Sequence, residues 1–177
     1  TTGDQGAALA RGVATEFRRR LQGEYLPRIR RCATLLGDDR IWQRPAPNCN
    51  SVGNLMLHLA GNTTQWILAT FGACDDARNR PAEFAAEGGL AAAELVARLA
   101  QVVDRACDVV ATLSPDELLR TRQIQARYQE TGLSAVLHVL EHFSGHAGQI
   151  YAWTKQSLGI DLRFYDLPKD LRSRLPP

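Results

Sequence analysis

A chain of 177 residues can bury a core without disulfide or metal staples, and we expect residues 1–177 to form one domain. Hydrophobic residues at 45% and charged residues at 23% exclude wholesale disorder. A net charge of +2 is too small to point to nucleic acid or a membrane surface. No run approaches the ~18 consecutive apolar residues of a membrane span, and no basic-then-apolar leader opens the sequence, so a cytoplasmic location is expected.

The first helix is expected from about Gln5 to Leu36, with Leu9, Val13, Phe17, Leu21, Tyr25 and Ile29 near helical spacing and Pro27 as a kink or interruption. Arginines at 18–20, 28, 30 and 31 surround that stripe and read as a solvated face. After a turn-rich stretch holding Pro45, Pro47 and Asn48, the cap signal Asn50-Ser51 starts a second helix that runs to about Phe71. A third covers about Leu90 to Leu113. Ser114-Pro115-Asp116-Glu117 then predicts a short extra helix: a cap, Pro at the first helical position and acids in the first turn. Around Arg122–Tyr128 there is a weak β signal. A fourth long helix runs from about Gly132 to Leu158. The fold class is therefore all-α, and medium loops favour an antiparallel four-helix bundle. Cys32, Cys49, Cys74 and Cys107 make no C-x-x-C pair, which argues against a zinc knuckle or a disulfide framework.

The histidines carry the chemistry. His138, His142 and His146 stand one helical turn apart on the fourth helix, and the remaining one, His58, lies on the second helix between Leu55 and Leu59. Imidazole is the commonest transition-metal ligand among side chains. Adjacent members of the stripe lie about 6 Å apart along the axis and the outer two about 12 Å. One ion can therefore take two neighbours, and His142 belongs to either pair. His58 offers a third nitrogen from a facing helix. Three neutral imidazoles suit Zn, Ni or Fe(II) and leave a position open for water or substrate. Asn54 and Asn62 extend a polar stripe around His58, and Asn62 and His138 lie one turn from the expected ligands, where they could orient a ligand or a bound water.

Two features bear on which pair binds. Leu137, Val139 and Leu140 crowd His138, whereas Ser144, Gly145, Ala147 and Gly148 surround His146 with small residues. Those glycines serve either close helix packing or space for a ligand. His138-Val139-Leu140-Glu141-His142 also matches the H-x-x-E-H zinc-peptidase pattern, in which Glu141 activates water. That pattern takes an acidic third ligand well downstream, but here only Asp161, Asp166 and Asp170 follow, close to the end.

His142-Phe143-Ser144-Gly145-His146-Ala147-Gly148-Gln149 resembles the H-x-x-x-H-R-G-Q signature of the DinB-like (YfiT-type) superfamily. SVGNLMLHLAGNTTQW, with His58, resembles its first-histidine motif. Asn79–Phe84 and Phe164-Tyr165-Asp166-Leu167 look like a less-characterised subgroup. The likeness covers about residues 10–160 and departs at Ala147, where many members carry Arg; any substrate role of that arginine is not transferred.

The resemblance implies an up-down-down-up bundle and a three-histidine metal site on His58, His142 and His146, with His138 as a neighbour. It also implies a metal-dependent S-transferase-like activity using a low-molecular-weight thiol. The alternatives are a non-catalytic metal-binding or stress-related module, and a metal-assisted hydrolase. No residue in the motifs is a compelling general base. A small-molecule substrate and a homodimer are expected, without nucleic acid or membrane.

Overall fold

The computed structural model describes residues 2–165. Helix α1 (Thr2–Arg20) passes through one π-helical turn, Leu21–Tyr25, into α2 (Leu26–Arg40). Pro27 explains the change of pitch. It lacks the N–H that would continue the α ladder and its ring crowds the preceding turn. The backbone widens just before it, and Leu26 N–H reaches the carbonyl of Leu21, five residues back. The expected stop near Leu36 coincides with Gly37, whose φ of 61° breaks the helical backbone. Phe17, Leu21 and Ile29 are fully buried, but Leu9 is 67% exposed, so the predicted apolar stripe begins one turn later than its leucine.

Ser51 caps α3 (Val52–Thr63) in a reciprocal box. Its Oγ accepts from Asn54 N–H at 3.1 Å, while Asn54 Oδ1 accepts from Ser51 N–H at 3.0 Å. A second π-helical turn, Thr64–Ala69, extends α3 toward the predicted end at Phe71. Because both capping groups are buried, Ser51→Ala leaves a buried N–H without its acceptor. We expect it to lower unfolding stability by about 1–2 kcal/mol in urea titration, and an unchanged midpoint would refute the cap's contribution.

The connection to α5 (Ala92–Ala111) contains a short helix, α4 (Arg80–Ala85), absent from the sequence expectation. Asn79 caps it and Pro81 opens its first turn. Ser114 and Glu117 form the expected capping box of α6 (Pro115–Leu119). The weak β signal resolves into a hairpin, β1 (Thr121–Ile124) paired antiparallel with β2 (Tyr128–Thr131). Helix α7 (Gly132–Leu158) matches its predicted bounds.

The described residues are all-α apart from that hairpin. The long helices pack in a four-helix bundle, α1–α2 and α3 each touching both α5 and α7. The core is continuous, running from Phe17 and Ile29 through Leu55, Leu59 and Ile67 to Leu99, Val103, Phe143 and Ile150. No helix among the described residues is long and apolar enough to cross a membrane. Arg18, Arg19 and Arg20 pair with Asp108, Glu16 and Glu24 on the helix surface, consistent with a solvated face. All four cysteines are free thiols.

Candidate metal centre

Helices α3 and α7 face one another where His58 and the histidine stripe lie. His58, His142 and His146 converge so that one ligand nitrogen from each falls within 4.8 Å of the others. His58 Nε2 stands 3.0 Å from His142 Nε2. The ring of His146 lies edge-on to both, with centroids 4.9 Å from His58 and 4.5 Å from His142. His138 is outside this group. Its ring stacks on Trp66 at 3.6 Å, and its Nε2 meets Asn62 Nδ2 at 3.2 Å.

Hydrogen bonds orient two of the three rings. His58 Nδ1 lies 2.8 Å from Glu83 Oε2, and His146 Nδ1 lies 2.8 Å from the side-chain oxygen of Gln149. An oxygen acceptor at that distance takes a proton carried on Nδ1, and in the neutral ring that leaves the Nε2 lone pair for an ion. His142 is the unbalanced member, since its Nδ1 is buried with no partner among the described residues. Facing lone pairs on His58 and His142 at 3.0 Å repel unless a proton or a cation sits between them.

Zinc held by imidazoles at about 2.0–2.1 Å separates tetrahedral ligand nitrogens by about 3.3 Å. The His58–His142 pair is already near that separation at 3.0 Å, and the nitrogens of the triad, all within 4.8 Å of one another, need close by no more than about 1.5 Å to reach it. The donor set therefore fits one divalent ion with three protein ligands. The same geometry weighs against the H-x-x-E-H pattern: His138 is turned toward Trp66, and Glu141 is exposed. Asp161 is exposed as well, while Asp166, Asp170 and the predicted Asp166-Leu167 match lie outside the described residues.

Burial pushes the His142 imidazolium pKa down to about 2, with further lowering from His146, His58 and His138. Burial also lowers His138 and His146. Burial thus favours the neutral form of these rings, the form that His142 and His146 must take to bind a metal. Below about pH 6.5 the unfolded chain binds more protons at these positions than the folded chain does, so acid favours unfolding. For chelator-treated protein we expect the denaturation midpoint to fall steadily from pH 7 to pH 5. A flat profile would contradict the neutral assignment.

Glu83 and Arg78, which bear directly on the centre, were missed in the sequence. Arg78 forks onto Glu83 with Nε–Oε1 at 2.8 Å and Nη2–Oε2 at 2.9 Å. Burial raises the Glu83 carboxyl pKa, but hydrogen bonds from Arg78 and His58 outweigh it and hold the group below its usual range. Glu83 and the capping Asn79 belong to the Asn79–Phe84 run noted for its family likeness, but nothing in the spacing linked it to His58. Gln149 was legible as part of the histidine motif, three residues from His146 and so on the same helix face.

Two expectations are corrected. Leu137 is 53% exposed and Val139 is fully buried; the ring packed flat on His138 is Trp66, which the sequence did not single out. Gly145 and Gly148 are exposed, and a Cβ added at either meets nothing within 4 Å, so close helix packing does not explain them among the described residues. Ala147 is fully buried, so this position packs the core rather than facing a ligand.

The comparisons agree with the architecture. A DinB-like protein from Bacillus cereus ATCC 10987 superposes with a TM-score of 0.62 at 13% identity, over 80% of this chain and 90% of its own. A DinB-like protein from Bacillus subtilis gives 0.60 at 16% identity, over 89% and 95%. Both likenesses concern the fold. No curated protein matches the chain. Residues 24–150 match the family model of the DinB superfamily, and with most of its length so matched, the chain belongs to that superfamily.

Proposed function

We propose that this protein is a divalent-metal enzyme with an open coordination position, acting as a thiol-dependent S-transferase on a small electrophilic substrate. The observation that carries the reading is the convergence of His58, His142 and His146, three imidazoles from two facing helices. Three protein ligands, with room for a fourth from solution, are the arrangement of catalytic sites; structural sites are closed by four.

A bound divalent ion would supply Lewis acidity, favouring the thiolate form of a low-molecular-weight thiol at neutral pH. The chain's own residues hold and orient. His58 is fixed by Glu83, His146 is fixed by Gln149, and burial keeps His142 neutral. Among the described residues, no side chain beside the triad is free to act as general base, since Glu83 is committed to His58 and Arg78 while Glu141 is exposed. That favours a mechanism in which the nucleophile is activated by the ion rather than by a protein carboxylate. The native ion is proposed to be Zn, Ni or Fe(II), on the chemistry of an all-imidazole donor set.

The test is turnover of model electrophiles by protein purified without a nickel-leaching resin and loaded with each ion. A panel of low-molecular-weight thiols is offered, with esters and amides assayed in parallel without thiol. Thiol-dependent turnover lost in His142→Ala supports the transferase. Thiol-free hydrolysis replaces it with metal-assisted hydrolysis. Metal binding with no turnover in either arm leaves a non-catalytic metal-binding module. A homodimer and a soluble small-molecule partner remain part of the proposal, and sedimentation at several concentrations tests the first.

A further inference from the structure

We infer that the buried Arg78–Glu83 ion pair, seated on Gly61, is a positioning device that holds His58 in the Nδ1–H form and aims its Nε2 at the metal position. This deepens the metal reading above and rests on it. His58, Arg78 and Glu83 have side chains only 5%, 4% and 10% exposed. A buried ion pair seldom adds net stability, because desolvation offsets the attraction. Its placement here is explained by the third group it touches: Glu83 Oε2 takes both Arg78 Nη2 and His58 Nδ1, at 2.9 and 2.8 Å. Arg78 Nη2 also approaches His58 Nδ1 at 3.0 Å. That nitrogen cannot present a lone pair to a carboxylate oxygen at 2.8 Å without repulsion, so it carries the proton and the arginine's hydrogen belongs to Oε2.

The surrounding chain is shaped to hold the carboxylate there. Asn54 Nδ2 donates to the carbonyls of Glu83 and Ala86 at 2.9 and 2.7 Å, and Arg44 Nη2 donates to that of Phe84 at 2.7 Å, fixing α4 against α3. A Cβ at Gly61 would overlap Glu83 Oε1, lie 2.8 Å from its Cδ and come within 3.0 Å of Arg78 Nε. The glycine costs α3 about 1 kcal/mol against alanine in an exposed helix, yet only a bare backbone lets the pair lie flat on the helix beside His58. A carboxylate behind a ligating imidazole raises its basicity and fixes its orientation, and loss of such a partner weakens metal affinity about 10–100-fold.

The experiment combines zinc competition titration with long-range nitrogen–proton spectra of the imidazoles in metal-free protein. In the wild type, His58 is expected as the Nδ1–H tautomer; an Nε2–H tautomer overturns the inference outright. Glu83→Gln and Gly61→Ala are each expected to weaken zinc binding about 10–100-fold and to mix the His58 tautomers. Gly61→Ala alters no polar group, so it reports placement alone. A pair that merely supports the fold lowers the melting temperature in both variants but leaves zinc affinity and tautomer unchanged, and that result overturns the inference. Where Glu83→Gln fails to fold, Gly61→Ala and the wild-type tautomer still decide. If the wild type binds no zinc, the metal reading fails by itself, and the tautomer measurement continues to judge the positioning role.

Discussion

His142→Ala is expected to reduce bound metal from stoichiometric to background. His142 is the central member of the stripe, its ring within 4.8 Å of His58 and 4.5 Å of His146. Without it, His58 and His146 remain on different helices with no third nitrogen placed between them, and His138 is held away by Trp66. Two imidazoles do not retain a divalent ion against chelator and buffer as three do, and affinity falls by orders of magnitude rather than by a factor.

The fold is expected to survive this change. Burial disfavours the charged form of His142, and its Nδ1 has no partner among the described residues, so removing the ring also removes an uncompensated polar group. Elemental analysis of protein reconstituted with zinc checks the first expectation, and helical circular dichroism with thermal melting in chelator checks the second. Stoichiometric metal in a folded His142→Ala protein would sink the three-histidine assignment.

Local chemistry made much of this arrangement legible. Ser51 and Ser114 announced helix starts through capping patterns that depend only on residues three apart, and α7 kept its predicted bounds. His58 and the stripe were recognisable because helical spacing places them on faces bordering the core. What pattern could not provide was contact between distant segments. Glu83 lies 25 residues from His58, on a short helix whose six residues carry too little periodicity to be seen. The same limit hid the stacking of Trp66 on His138, since two apolar-flanked residues on separate helices give no sign of which neighbour each meets. Leu9 and Leu137 failed for a different reason: helical spacing identifies a stripe but not where along it the neighbouring helices end.

Which end of the stripe holds the ion is decided by comparing His146→Ala with His138→Ala. One helical turn separates each from His142, so spacing treats them alike. The surroundings do not. His146 is oriented by Gln149 through Nδ1, which leaves Nε2 for an ion, and belongs to the group whose nitrogens converge within 4.8 Å. His138 has its Nε2 against Asn62 and its ring flat on Trp66, so presenting that nitrogen to an ion would require breaking both contacts. His146→Ala is therefore expected to lose metal nearly as completely as His142→Ala. His138→Ala and Asn62→Ala are expected to keep a stoichiometric ion at saturating metal, with affinity weakened about 10–100-fold through the orientation of neighbouring groups. Unchanged affinity and activity in both would reduce Asn62 and His138 to packing residues. The reverse pattern, with metal lost in His138→Ala and kept in His146→Ala, would move the ion one turn toward the N-terminus of α7 and place Glu141 next to it. The chemistry would then be that of a carboxylate-activated water, and the thiol reading would fall with the site.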